Sequence, residues 1–163
     1  FDAFNIKFQV VPRRCIGDQV PSCGIGAIGF DGDERVHHVA EAFAISEGDN
    51  VIHLRTLRRV NGVALCLIDH YFTDLQLWPV LQTFTHGSLH DLLRDRLDIE
   101  LTRVRTKISA RRAQAKESKI LSIPNMAPLL CVRTLNHRQG EQSATEYSVS
   151  LTRADMIEFT MEH

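Results

Sequence analysis

The sequence predicts an α+β fold: a mostly antiparallel β-sheet flanked by helices, with a pseudo-twofold internal repeat. Three observations lead there. The stretch Val51 to Phe72, VIHLRTLRRVNGVALCLIDHYF, reads as two β-rich runs around Asn61-Gly62. Asn and Gly both tolerate the positive φ that a tight hairpin demands. The stretch then recurs weakly. Arg55-Thr56-Leu57 returns as Arg133-Thr134-Leu135, Gly62 is matched by Gly140, Ile45 by Ile123, and a helix-like segment precedes each copy. A long period with only two copies is no solenoid; it predicts two hairpins sharing one sheet. Finally, no Pro/Ser/Gly-rich linker interrupts the chain, so residues 1–163 read as a single domain.

Taken in order, the elements follow from pattern and punctuation. Phe4, Ile6, Phe8 and Val10 alternate as a strand would, until Pro12 and Arg13-Arg14 break the run. Gly24 to Gly29 matches GxGxxG, but no helix opens inside it, so it reads as a glycine-rich strand or loop and not as a dinucleotide site. Asp31 or Asp33 caps a helix over Glu34–Ala44, with Val36, Val39, Ala40 and Phe43 on its apolar face. After the central hairpin, Thr73–Leu81 is a short helical or turn segment broken by Pro79, with Trp78 a packing residue. Ser88 to Asp91 resembles a capping box, followed by Leu89, Leu92, Leu93 and Leu97 at helical spacing. Ile99–Ile108 alternates as a strand carrying Arg103, Arg105 and Lys107. Ser109–Leu121 is predicted as a helix, although its basic first turn opposes the helix dipole. Strands follow over Leu129–Leu135 and Ala144–Leu151 around a turn at Asn136–Glu141. Thr152–Asp155 is a turn and Met156–Met161 a last strand.

Composition narrows the function. The chain has 163 residues, 44% hydrophobic and 24% charged, with net charge −1. A near-neutral balance argues against nucleic-acid binding through the chain's bulk field. No apolar run reaches membrane-spanning length and no signal peptide is visible, so no membrane partner is expected. Cys15, Cys23, Cys66 and Cys131 form no CxxC pair, and Cys66 and Cys131 sit in apolar runs. They read as buried thiols in a reducing, cytoplasmic setting. The chain opens on Phe1, which suggests a piece of a longer protein.

Few side-chain constellations carry chemistry. The eight histidines lack HxH or HExxH spacing, so no metal is expected. Gly87-Ser88 lacks the GxSxG pattern of a serine hydrolase. The basic run Arg103–Lys119 reads as a solvated face. What remains is Arg58 on the first hairpin, Ser88 at a helix start and Glu146 on the last hairpin. If the repeats face one another, these offer a bidentate anion donor, free helix N–H groups and a carboxylate acceptor. The competing reading is a structural Arg58–Glu146 ion pair without a ligand. More generally, an arginine on an inward strand face needs either a carboxylate of the protein or an anionic ligand.

These residues fall in motifs that resemble a known family. NVIHLRTLRRVNG (Asn50 to Gly62), IDHY (Ile68 to Tyr71), GSLH (Gly87 to His90), ISARRAQA (Ile108 to Ala115) and ATEYSVSLTRAD (Ala144 to Asp155) are similar to the UTRA domain, the effector-binding half of HutC-type GntR transcription regulators. Within that family they look closest to the branch associated with phosphonate utilisation. The match runs from about Phe8 to the end, strongest over Ile45–Tyr71 and Leu129–Phe159. The resemblance implies a chorismate-lyase-like fold with an effector between its halves, a homodimer, and a winged helix-turn-helix N-terminal to this domain and absent from this chain. It also implies a pocket of Arg58, Ser88, His90, Glu146, Thr56, Thr152, Phe8 and Gln9, with no catalytic residue and no cofactor. Thr56 stands where many members have a second arginine, Ile68 where they have a second glutamate (with Asp69 beside it), and Thr152 where they often have tyrosine. These departures set the chain apart from members with sugar-phosphate effectors. The expected ligand is a small anion: a phosphonate, phosphate ester or sugar-like metabolite. The rival expectations are a chorismate-lyase-like enzyme on the same fold and a dimerisation module without a ligand.

Overall fold

The computed structural model describes residues 22–27, 34–46 and 48–158. The expectations for Phe1–Gln19, including Phe8 and Gln9, and for capping by Asp31 or Asp33 lie outside these residues.

Six strands form one antiparallel sheet: β1 (Ser22–Ala27), β2 (Asn50–Val60), β3 (Val63–Phe72), β4 (Leu101–Arg112), β5 (Pro128–Arg138) and β6 (Ala144–Arg153), in the spatial order β1-β2-β3-β6-β5-β4. The order shows the repeat. Each half contributes three consecutive strands, and the halves meet where β3 pairs with β6, His70 opposite Ser148. Helix α1 (Glu34–Phe43) joins β1 to β2 as α4 (Ala115–Leu121) joins β4 to β5. The β2–β3 hairpin turns on Asn61 and Gly62, at φ 52° and 79°, the two positive values a two-residue turn of this hand needs. The glycine-rich segment is a strand: Gly24 pairs with His53 and Gly26 with Val51.

Strand alternation sorts the sheet into two faces. One packs under α1 and α4 through Val39, Val51, Leu57, Leu67, Leu121, Leu129, Val149 and Leu151. The other carries Ile52, Leu54 and Phe72 at one end. There they pack under Leu77, Leu81 and Phe84 from the segment around α2 (Trp78–Leu81), and under Leu89 and Leu93 from α3 (Leu89–Leu97). Trp78 packs against this second cluster. Cys66 and Cys131 are buried free thiols.

Several expectations for the elements differ from the structure. Ser109–Leu121 is not one helix: β4 continues to Arg112, opposite Pro128, and Ala113 N–H still reaches Ala127 O at 2.8 Å. Helix α4 starts only at Ala115. This places Glu117 in its first turn, where the carboxylate accepts the Gln114 N–H at 2.8 Å and two bonds from Arg111 at 2.8 and 2.6 Å. The arginines that would have opposed the dipole stay on the strand. Pro79 does not break its segment; it lies in the first turn of α2, where a missing N–H leaves no bond unmade. At the C-terminal side, Thr152 belongs to β6, paired with Cys66 and Leu130. Ala154–Met156 is a 3-10 turn and not the start of a strand, and residues beyond 158 lie outside the description.

Candidate functional site

Thr56 and Arg58 share one face of β2. Their cross-strand partners continue that face: Ile68 and Cys66 on β3, Ser150 and Thr152 on β6. Further along the same face lie His70 on β3, opposite Ser148, and then Glu146 on β6 and Asn136 on β5, opposite each other. Helix α3 lies over this end of the face. Ser88 caps it, accepting the Asp91 N–H at 3.2 Å, and so brings His90 down toward the sheet.

Glu146 is fully buried, and a buried carboxylate must be met by donors. One oxygen takes His70 Nδ1 at 2.6 Å; the other takes His90 Nε2 at 2.8 Å and Asn136 Nδ2 at 2.6 Å. Both imidazoles therefore present an N–H to the carboxylate. The far side of the His70 ring, Nε2, stands 3.4 Å from Thr56 Oγ1. Burial alone would raise the Glu146 pKa, but the hydrogen bonds and charges of the two histidines outweigh it and hold the group well below the usual carboxylate range. The bond from His90 to Glu146 raises the His90 pKa against opposition from burial and from the nearby charges of Arg58 and Arg103. The arrangement is thus a buried carboxylate bonded to a partly exposed imidazole whose protonated form it favours.

Arg58 stands apart from this network. It is exposed and makes no hydrogen bond or ion pair among the described residues. Its charge nevertheless reaches His90 and Cys66. The Cys66 thiol, raised by burial, is held by Ser150 Oγ at 2.8 Å and receives Thr152 Oγ1–H at 3.1 Å. Among the described residues, the site therefore has a guanidinium without a partner beside a hydroxyl-and-thiol floor, with an imidazole from α3 nearby. These are groups able to donate charge-assisted hydrogen bonds.

The structure brings Arg58, Thr56, Thr152, His90 and Glu146 to one side of the sheet. The ion pair between Arg58 and Glu146 does not form, because His70, His90 and Asn136 occupy both carboxylate oxygens. Glu146 is also not presented as an open acceptor. Sequence reasoning missed His70 and Asn136. The parity of β3 was the available signal for His70, which alternates with Ile68. Asn136 was taken for a turn, although β5 runs on to Arg138.

The reverse face shows how an arginine on this sheet is satisfied from within. Asp69, fully buried, accepts Arg55 Nε at 2.7 Å, Arg55 Nη2 at 3.0 Å and His53 Nε2 at 2.6 Å. Burial would raise its pKa, but these donors lower it to about 2. Arg55 has a carboxylate of the protein; Arg58, three residues on and facing the other way, has none among the described residues.

The described strands thus form one six-stranded antiparallel sheet in which two hairpins meet, with α3 lying over one end of one face. The UTRA domain matches residues 28–158, and the chain belongs to that family. Over 126 residues it is 76% identical to the probable transcriptional regulator PhnF of Escherichia coli (strain K12), covering 77% of this chain and 52% of that protein; the chain spans about half the length of the curated relative it matches. It also superposes on the crystal structure of a PhnF C-terminal domain with TM-score 0.80 and 64% identity, covering 91% of this chain and 90% of that one. The effector domain of PhnF from Mycobacterium smegmatis, at 23% identity and TM-score 0.71 over 89% of this chain and 86% of that one, shares the fold. These relatives are named as a transcription regulator and as its C-terminal or effector domain.

Proposed function

We propose that this domain senses a small phosphonate or phosphate-ester anion through Arg58 and relays its binding to a DNA-binding segment elsewhere in a cytoplasmic transcription regulator. The observation that supports the reading is that Arg58, beside the His90–Glu146 pair, has no partner among the described residues, whereas Arg55 on the same strand has its own carboxylate. Arg58 supplies two parallel N–H donors, which match a phosphonate edge in a way a lysine does not. His90 adds a second donor, and Ser88 opens its helix with N–H groups that have no intrahelical partner. In this reading Glu146 orients the histidines, Thr56 backs His70, and Thr152 fixes Cys66.

Effector binding shifts the balance between two arrangements of a homodimer, and the DNA-binding segments report that shift. A symmetric dimer fits a regulator that reads two half-sites. The chorismate-lyase reading is not favoured. Glu146 holds its proton too weakly to serve as a base or acid near neutral pH.

The test is a thermal-shift series with methylphosphonate, 2-aminoethylphosphonate, glucose 6-phosphate and glucose. The expected result is a melting temperature that rises with the concentration of at least one phosphorus-containing ligand and is unmoved by glucose. Equal response to all four, or turnover of chorismate, contradicts the proposal.

A further inference from the structure

The repeat pairs Arg55 with Arg133, and the two arginines meet different fates. Across the hairpin from Arg55 stands Asp69, which takes its Nε. Across from Arg133 stands Val149. Arg133 Nε is buried with no hydrogen-bond partner among the described residues, and an orphaned charged donor of this kind is rare. Its Nη1 donates to His38 Nε2 on α1 at 2.7 Å. That bond requires His38 to keep its proton on Nδ1, which faces Glu41 at 3.9 Å.

Two more cations converge here. A register shift between Arg103 and Arg105 turns β4, so that Arg105 and Lys107 stand opposite Leu135 and Arg133, on the side of the sheet facing α1. Like charges placed directly across a ladder destabilise it, yet Lys107 faces Arg133 and neither has a carboxylate partner among the described residues. Arg105, Lys107, Arg133, His38, Glu41 and Tyr147 line a common cleft. Among the described lining residues, three cations face one carboxylate, that of Glu41.

We propose that this cleft is a second oxyanion site, on the sheet face opposite Arg58, in which a phosphate-like dianion supplies the negative charge that Asp69 supplies to Arg55 in the first half of the repeat. The guanidinium of Arg133 faces the anion from the cleft's inner wall, and Arg105 and Lys107 close on it from the exposed edge strand.

The probe is inorganic phosphate, titrated at constant ionic strength and followed by amide chemical shifts, with acetate as the monoanionic arm. The wild type is expected to show saturable shifts at Arg105, Lys107, Arg133 and His38, with phosphate bound more tightly than acetate. The double variant R105Q/K107Q alters only exposed positions of β4 and is expected to bind phosphate at least tenfold more weakly. R58A is expected to keep these shifts, which separates this site from the proposed effector site. No saturable shift in the cleft, equal phosphate affinity in R105Q/K107Q, or loss of the shifts in R58A overturns the second site. Acetate binding as tightly as phosphate overturns the dianion.

Discussion

A carboxylate with no exposed surface has its charge answered within the protein or does not stay charged. Glu146 is answered three times, by His70, His90 and Asn136. Glu146→Gln keeps the shape and removes the charge, so chemical denaturation should show a loss of about 3 kcal/mol. In the same variant the NMR titration midpoint of His90 should fall back toward the ordinary histidine value of about 6.5. A midpoint that stays high would mean that Glu146 is not what raises it. The sign of the pH effect follows from the direction of the shift. A raised pKa in the folded state gives stability that is full below the unfolded value and is lost as pH rises through the folded one. The wild type should therefore lose stability as pH climbs from about 6.5 through the raised His90 midpoint, and anion affinity should fall over the same window as the cation beside Arg58 disappears. A His90→Gln variant should show neither trend there; the same slopes in that variant would place their origin elsewhere. At this scale the sequence was legible only in part. Arg58, His90 and Glu146 stood out by residue type and motif. Which donor answers which carboxylate depends on register and on where α3 lands, and no local pattern encodes that.

The β2–β3 hairpin was the most legible element, because Asn61-Gly62 carries its own mechanism. Gly62 holds φ at 79°, and a Cβ added there meets no atom within 4 Å. Gly62→Ala is therefore expected to cost about 1 kcal/mol through backbone strain alone. An unchanged denaturation midpoint would show that the turn relaxes to another type. The β4–α4 boundary was the least legible. Alternation in Ile99–Ile108 gave the strand, but Ser109 to Arg112 has equal claim to strand or helix by propensity. The ladder to β5 and the Arg111–Glu117 bond decide it, and both lie beyond any local window. The Asn136–Glu141 turn was misplaced for a related reason. Its hairpin loop is longer than the first, so the repeat marked Gly140 correctly while the strand before it ran three residues further than expected.

For the molecule as a whole, the repeat explains both faces. Two hairpins meeting at β3 and β6 put Arg58 and Glu146 on one side of the sheet, and Arg55, Asp69 and Arg133 on the other. The sequence reading anticipated that meeting from the recurrence of Arg-Thr-Leu and glycine. It did not anticipate the ordering of faces, since a single-residue bulge such as that between Arg103 and Arg105 reassigns every side chain beyond it. The central claim is that Arg58 is left unpaired in order to hold an anion. Calorimetry and thermal melting of Arg58→Ala, with whichever phosphonate or phosphate ester raises the wild-type melting temperature, test it most directly. The account predicts an effector affinity roughly ten- to a hundredfold weaker, the loss of about 1.5–3 kcal/mol of charge-assisted bonding, with the ligand-free melting temperature unchanged. Unchanged affinity together with a large fall in the ligand-free melting temperature would contradict it, and would make Arg58 a structural cation.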